Sequence, residues 1–546
     1  MPELSRRSAL TMLGAGALAA AGTAGVRAAM RSGDPDSASG PVAGAGPDNP
    51  TRAENRLPGT TDWRVGASDT VAAGDLGRQI AGYSATTSVD LGGSIDFHVS
   101  SRPARPFTVS IYRLGEYGGL GGRHVTDSPV LAGAEQRYPV PDPQTGTIDC
   151  DWQRSWTLDV PRSWTSGMYL AAFTTDDGHR SFAPFAVRDD RRRADFLVVL
   201  PFTTYQAYNQ WPLDGAVGKS LYYGYGKNSG ASTTDAEGGE VADPHGVPVS
   251  YGTRARAVCF DRPYSGTGLP QRVDLDVDFV QWAERSGYDI AYATSLDLHD
   301  GRIDASRYRT LVFSGHDEYW SAQMRQTVTT ALANGCSLAF MTANNVYWHI
   351  RAGDKSAAGA GPGTSTNTGA TVTAAESRLM TCYKTDTDPA PDASGPTTLW
   401  RLVGTGAEQA EQCLVGIQFN GIPAKTVPLV VSNSDHWFWE GTGLHDGDKV
   451  PGIVGGEVDG INHGAPGPQY PRQVVLSASP FVAADDGGRA RAQHTSLCET
   501  VDGALIFAAG TFNWSPGLNR PGVLDPRIVR ATENLFARLR VAGPTV

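Results

Sequence analysis

Three ionisable side chains stand in a row in Ser314-Gly315-His316-Asp317-Glu318-Tyr319-Trp320. A histidine beside carboxylates is a pattern for general acid–base work, because neighbouring charge moves the imidazole across the working pH. Polar and aromatic groups also follow three other apolar runs. Thr203-Thr204-Tyr205-Gln206-Ala207-Tyr208-Asn209 follows FLVVLP, Ala343-Asn344-Asn345-Val346-Tyr347-Trp348 follows LAFMT, and Asp261-Arg262-Pro263-Tyr264 follows ARAVCF. Singly, each has an ordinary explanation: a scaffolding histidine, packing aromatics at Tyr222, Tyr223 and Tyr264, turn residues at Asn344 and Asn345. Together they describe a rim, because ligands of open parallel sheets bind beyond the carboxyl ends of the strands.

The elements that would position these groups are legible. Residues 63–190 contain short alternating runs (GSIDFHVSS, FTVSIYRLG, SWTLDVP, GMYLAAFTT, FAPFAVRDD) broken by Gly and Pro, and they predict a β-sandwich. RDDRRR, residues 188–193, is a charged junction. From there to residue 546 the pattern changes to doubly buried strands (ADFLVVLP, YRTLVFS, SLAFMT) alternating with amphipathic helices (VDFVQWAERSGYDI, SAQMRQTVTTALANG). That alternation predicts an α/β parallel sheet with crossover helices. The fold class is thus α+β multidomain, a β-sandwich followed by an α/β domain. Two polar Gly-rich insertions, residues 226–246 and 353–377, interrupt the second part.

The chain has 546 residues, 40% apolar and 19% charged, with a formal net charge of −11. An acidic chain of this kind excludes a general nucleic-acid binder. Residues 1–29 read as a twin-arginine export signal on Arg6 and Arg7, which predicts an exported protein at the cell envelope or outside it. The alternative is an N-terminal anchor, but the run is short and Gly-broken against the ~20 residues a span needs. No stable span is expected once the signal is removed. Residues 30–62 read as a flexible tether. The six cysteines form no CxxC pair, Cys259 and Cys336 read as buried thiols, and Cys382 with Cys413 is the disulfide to look for first.

No G-x-S-x-G elbow, Walker loop, dinucleotide fingerprint or HExxH helix occurs, and GLGGR, residues 119–123, has no helix after it. The SGHDE turn offers no Ser or Cys at its tip, which disfavours covalent catalysis and makes metal-activated water the natural substitute.

At these residues the sequence resembles the C-terminal domain family of the N,N-dimethylformamidase large (β) subunit. TTYQAYN, GKSLY, FDRPY, ERSGYDIAYATSLDLH, SGHDEYWS, AFMTANNVYWHIR, VPGIVGGEVDG and GTFNWSPGL carry the resemblance, and IYRLGEYGGLGGR and SGMYLAAF extend it into the β-domain. It implies a class I glutamine amidotransferase-like, flavodoxin-like α/β core and a mononuclear ferric iron on two tyrosines and a glutamate. Carried over by position, Tyr222, Tyr264 and Glu318 would be the ligands, His316 the acid/base, and Asn344 the group positioning substrate or water. Tyr223 competes with Tyr222 for its place. The implied activity is hydrolysis of an amide-like C–N bond in a small molecule, and it leaves room for a homo-oligomer or a small second subunit. Two other readings stand beside it: an exported carbohydrate- or surface-binding protein using Trp437 and Trp439, and a tyrosinate-iron oxygenase using His316 or His436.

Overall fold

The computed structural model describes residues 48–541 apart from 226–240, 356–375, 405–406, 469 and 485–487. The Arg6–Arg7 leader and most of both Gly-rich insertions fall outside the described residues. The chain is a mixed α/β protein with many sheets and few helices. Among the described residues, no helix is long and apolar enough to cross a membrane.

Helix α1, Pro50–Asn55, lies within the stretch read as tether. Asn49 caps it through a bond from Arg52 N, and Pro50 starts it with φ already set. Its Glu54 is anchored by Tyr117 and Arg123, so this segment is tied down.

The predicted strand runs of the N-terminal part fall into two sheets. One contains Ile80–Ser84, Ser94–Ser101 and Trp156–Asp159; the other is built around Phe107–Leu114, Gly167–Thr175 and His179–Arg188. Alternate residues of both sheets share one apolar core, where Phe97 meets Phe173 and Phe185 edge-on at 6.0 and 5.7 Å between ring centroids.

The central sheet has seven strands: β1 Phe196–Leu200, β2 Ile290–Thr294, β3 Thr310–Phe313, β4 Ser337–Phe340, β5 Arg472–Val482, β6 Ala490–Glu499 and β7 Leu505–Ala508. Their spatial order is β2-β1-β3-β4-β7-β6-β5. The first five in that order run parallel, and β6 and β5 are antiparallel to their neighbours. Phe196, Val198 and Leu200 face one core while Leu197 and Val199 face another, so β1 is buried on both sides. Each such Leu, Val or Phe contributes ~1.5–3 kcal/mol of burial, which is why the parallel strands read as unbroken apolar runs. The helices predicted from VDFVQWAERSGYDI and SAQMRQTVTTALANG are α3, Val273–Arg285, and α4, Ala322–Ala333. Ser321 caps α4, and Gly335 with φ 88° ends it.

The two parts are joined by buried charge. Arg113 of the N-terminal sheets donates to Glu284 of α3 at 2.7 and 2.9 Å, and both side chains are wholly buried. At the charged junction, Arg188 bridges Asp190 and Asp297, and Thr87 donates to Glu376.

All six cysteines are free thiols. This corrects the Cys382–Cys413 pairing: the buried Cys382 faces the His349 carbonyl at 3.7 Å, whereas Cys413 faces that of Pro466 at 3.4 Å.

Candidate functional site

Three of the four expected strand ends converge. The segment after β1 is not a loop but a short helix, α2, Phe202–Tyr208. Residues four apart share a helix face, and α2 uses that face twice on one partner. Thr204 Oγ1 accepts the Glu318 backbone N–H at 2.9 Å, and one turn on the Tyr208 hydroxyl donates to Glu318 Oε2 at 2.8 Å. Tyr205, on another side of α2, donates to Asp276 of α3, which also accepts from Ser314 Oγ at 2.5 Å. The turn after β3 runs hard against this carboxylate. A Cβ on Gly315 would sit 2.1 Å from Asp276 Oδ2, so glycine is required there.

Glu318 is the hub. Tyr222 donates to its Oε1 at 2.8 Å, the Tyr208 and Tyr222 hydroxyls are 3.0 Å apart, and His316 Nε2 lies 3.4 Å from Oε2. Asn344 Nδ2 reaches Oε1 at 3.3 Å and Glu457 Oε2 at 2.7 Å. Glu457 in turn lies 3.7 Å from His316 Nε2. The Ala343 carbonyl, 3.2 Å from His316 Nδ1, orients the ring so that Nε2 faces both carboxylates. Lys384 Nζ sits 3.2 Å above the centre of the Tyr222 ring and 4.6 Å from that of Trp348. All of these side chains are buried.

The electrostatics follow from that burial. Burial by itself would lower the His316 imidazole, but Glu457 and Glu318 outweigh it and hold it above its usual value. Burial would raise the Glu318 carboxyl, and His316, Lys384 and the Tyr208 hydrogen bond keep it below its usual value instead. Glu457 is raised, chiefly by burial with Glu318 nearby. Burial pushes Lys384 down to about 7 and Asp317 up to about 8. Burial and the adjacent Glu318 hold the Tyr208 and Tyr222 phenols well above their usual range.

The loops are held in unusual backbone. Asn344, Val346 and Lys384 have φ of 54°, 59° and 58°. A β-branched valine there is an outlier, and such strain persists only where the surroundings enforce it. The Asn344 N–H is fixed by Asp459 at 2.8 Å and the Val346 N–H by the Asp317 carbonyl at 3.0 Å.

Of the residues singled out in the sequence, Tyr222, Glu318, His316 and Asn344 meet here and Tyr264 does not. Tyr264 packs edge-on to Tyr205, ring centroids 6.4 Å apart, and donates no hydrogen bond to Glu318 or Tyr222. Its strand, Ala257–Cys259, pairs with Leu379–Thr381 in a separate sheet, so the strand-end rule does not carry it to this rim. Tyr223, the competitor of Tyr222, is half-buried and stands 6.2 Å from it between ring centroids. Tyr208 takes the place beside Tyr222, and its spacing from Thr204 in TTYQAY was the available signal. Glu457 and Lys384 were missed altogether. Glu457 follows two glycines, and Cβ atoms there would lie 2.7 Å from Asn513 Nδ2 and 2.6 Å from Phe512 Cδ2, a close approach that GGE announces.

Two phenols and a carboxylate give three hard oxygen donors, and burial keeps both phenols protonated unless a metal ion takes the place of their protons. Asn344 Oδ1 and Lys384 Nζ have no hydrogen-bond partner among the described residues. This donor set fits a hard trivalent metal ion.

The family model for "N,N-dimethylformamidase beta subunit-like, C-terminal" matches residues 108–527, from within the N-terminal sheets to the start of the last helix. The chain belongs to that family. It is 26% identical over 219 residues to the N,N-dimethylformamidase beta subunits of an Alcaligenes species and of Paracoccus aminophilus. Each match covers 37% of this chain and 28% of the relative's length. Every member of the Glu318 cluster falls within the family match.

Proposed function

We propose that this protein hydrolyses an amide-like C–N bond at the Glu318 cluster, with an iron ion held by Tyr208, Tyr222 and Glu318. The observation that carries the reading is the meeting of two phenol oxygens and one carboxylate within 3.0 Å of one another in a buried site of a dimethylformamidase-like chain. A ferric ion there would polarise the amide carbonyl and acidify water.

The chain's own groups do the rest. His316 Nε2 is the group that can take a proton from water and return it to the departing nitrogen, because Glu457 and Glu318 keep its charged form accessible. Both N–H bonds of Asn344 are directed at carboxylates, Glu457 and Glu318, so its role is to fix their spacing rather than to bind an oxyanion. Burial of the whole cluster keeps bulk water from screening these interactions.

The test is metal analysis and a visible spectrum on protein purified without chelator, followed by a panel of simple amides. About one iron per chain, a tyrosinate charge-transfer band and amide turnover support the reading. His316→Ala should keep the iron and lose turnover. Protein that takes up no iron on reconstitution and cleaves no amide sinks it.

A further inference from the structure

One charged residue near the site has no part in the reading above. Arg272 precedes α3 with φ 62°, a left-handed conformation that costs free energy in a non-glycine residue, and its side chain does not cap the helix. Its guanidinium carbon lies 4.6 Å from the centre of the Phe512 ring. The same ring stands 4.7 Å from His316. One aromatic ring, tilted against the imidazole, therefore separates Arg272 from the acid/base.

The guanidinium spends its face on Phe512 and keeps its edge unused. Among the described residues its side chain makes no hydrogen bond or ion pair, although Asp274, Asp276 and Asp278 follow it closely in the chain. Those acids are committed elsewhere. Asp274 and Asp278 are held by Arg520, and Asp276 is held by Tyr205 and Ser314. Arg272 also differs from the cluster in exposure: it is only half-buried, whereas Phe512, His316, Glu318, Asn344 and Glu457 are buried. It is thus the more solvent-accessible group, and it carries planar N–H donors suited to a two-point carboxylate contact.

We propose that Arg272 docks a carboxylate carried by the substrate, so that the preferred amide is a small N-acylamino acid rather than an uncharged amide. This rests on the hydrolase reading and narrows its substrate class. The anionic end would lie on the solvent side, against Arg272, and the C–N bond on the His316 side of Phe512. The carboxylate takes no part in bond breaking.

The experiment compares kcat/KM for N-formylglycine and for N-ethylformamide, which share the scissile bond and differ in the charged group. The wild type should favour N-formylglycine by tenfold or more. Arg272→Gln should lower that ratio at least tenfold, Arg272→Lys should recover part of it, and Arg272→Glu should invert it. The ratio isolates docking, because any effect of Arg272 on Glu457 and His316 acts on both substrates alike. A wild-type preference for the neutral amide, or a ratio unmoved by Arg272→Gln, overturns the proposal and leaves the hydrolase reading standing. If neither amide is cleaved, the hydrolase reading fails, and calorimetric titration with N-formylglycine decides the rest. Binding that Arg272→Gln abolishes supports the anion subsite, and absent or unaltered binding overturns it.

Discussion

Replacing Tyr208 by Phe, with Tyr264→Phe as its control, separates the geometry from the positional reading of the sequence. The Tyr208 hydroxyl donates to Glu318 Oε2 at 2.8 Å and touches the Tyr222 hydroxyl at 3.0 Å. A hydrogen bond to a charged group is worth ~1.5–3 kcal/mol. Glu318 Oε2 keeps Tyr222 at 3.0 Å and His316 at 3.4 Å, so the metal-free protein should lose an amount near the lower end, ~1.5 kcal/mol. Iron should respond more strongly. Loss of even an outer-shell partner costs up to ~100-fold in affinity, and loss of a ligand should reach at least that, ~2.8 kcal/mol. Tyr264→Phe removes a hydroxyl that bonds neither Glu318 nor Tyr222, and should move both quantities by less than ~0.5 kcal/mol. Iron content after dialysis against a graded chelator series, with thermal unfolding of the metal-free variants, reads both. Iron stripped from Tyr264→Phe but retained by Tyr208→Phe would refute the ligand set drawn from the geometry.

Three further outcomes follow from the same geometry. Arg113→Met leaves Glu284 buried without its cation and should cost ~3–5 kcal/mol by calorimetry, while Arg113→Met with Glu284→Leu should recover much of that loss. Gly315→Ala drives a Cβ to 2.1 Å from Asp276 Oδ2, and should cost at least the ~1–3 kcal/mol of an overpacked core and weaken iron retention, read on the same dialysis series. Asp75 accepts the backbone N–H groups of Leu213 and Gly266, and burial pushes it from 3.8 to about 7, so the folded state binds the extra proton. Its contribution is full below 3.8 and is lost as pH rises to about 7. The wild-type Tm should therefore fall relative to that of Asp75→Asn from pH 4 to pH 7, and a wild-type Tm that rises relative to the variant over this range contradicts the assignment.

What the sequence disclosed was local. FLVVLP, TLVFS and LAFMT announce doubly buried strands because both of their faces are apolar, and the ends of those strands led to His316, Glu318 and Asn344. Pairing partners are not local. ARAVCF has the same apolar look as these runs, yet three residues of it pair in a different sheet, which removed Tyr264 from the rim. Tyr208 was in view within TTYQAYN, but its role depends on α2 forming and turning Thr204 and Tyr208 to one side, which follows from packing rather than propensity. Lys384 and Glu457 reach the site from segments with no strand-end signature, so only the tertiary fold could reveal them.

The groups around Glu318 are drawn from positions 204, 208, 222, 316, 344, 384 and 457 of the chain. The strand that completes the parallel block, β7, arrives only at Leu505. Contacts of such sequence separation form slowly, since each must first bear its loop-closure entropy. A chain that stops short of β7 lacks the strand that pairs with both β4 and β6, so the sheet beside the segment carrying Asn344 stays open. A ligand taken up at Glu318 would then report completed folding, and the lag between synthesis and loading would time the closing of the sheet.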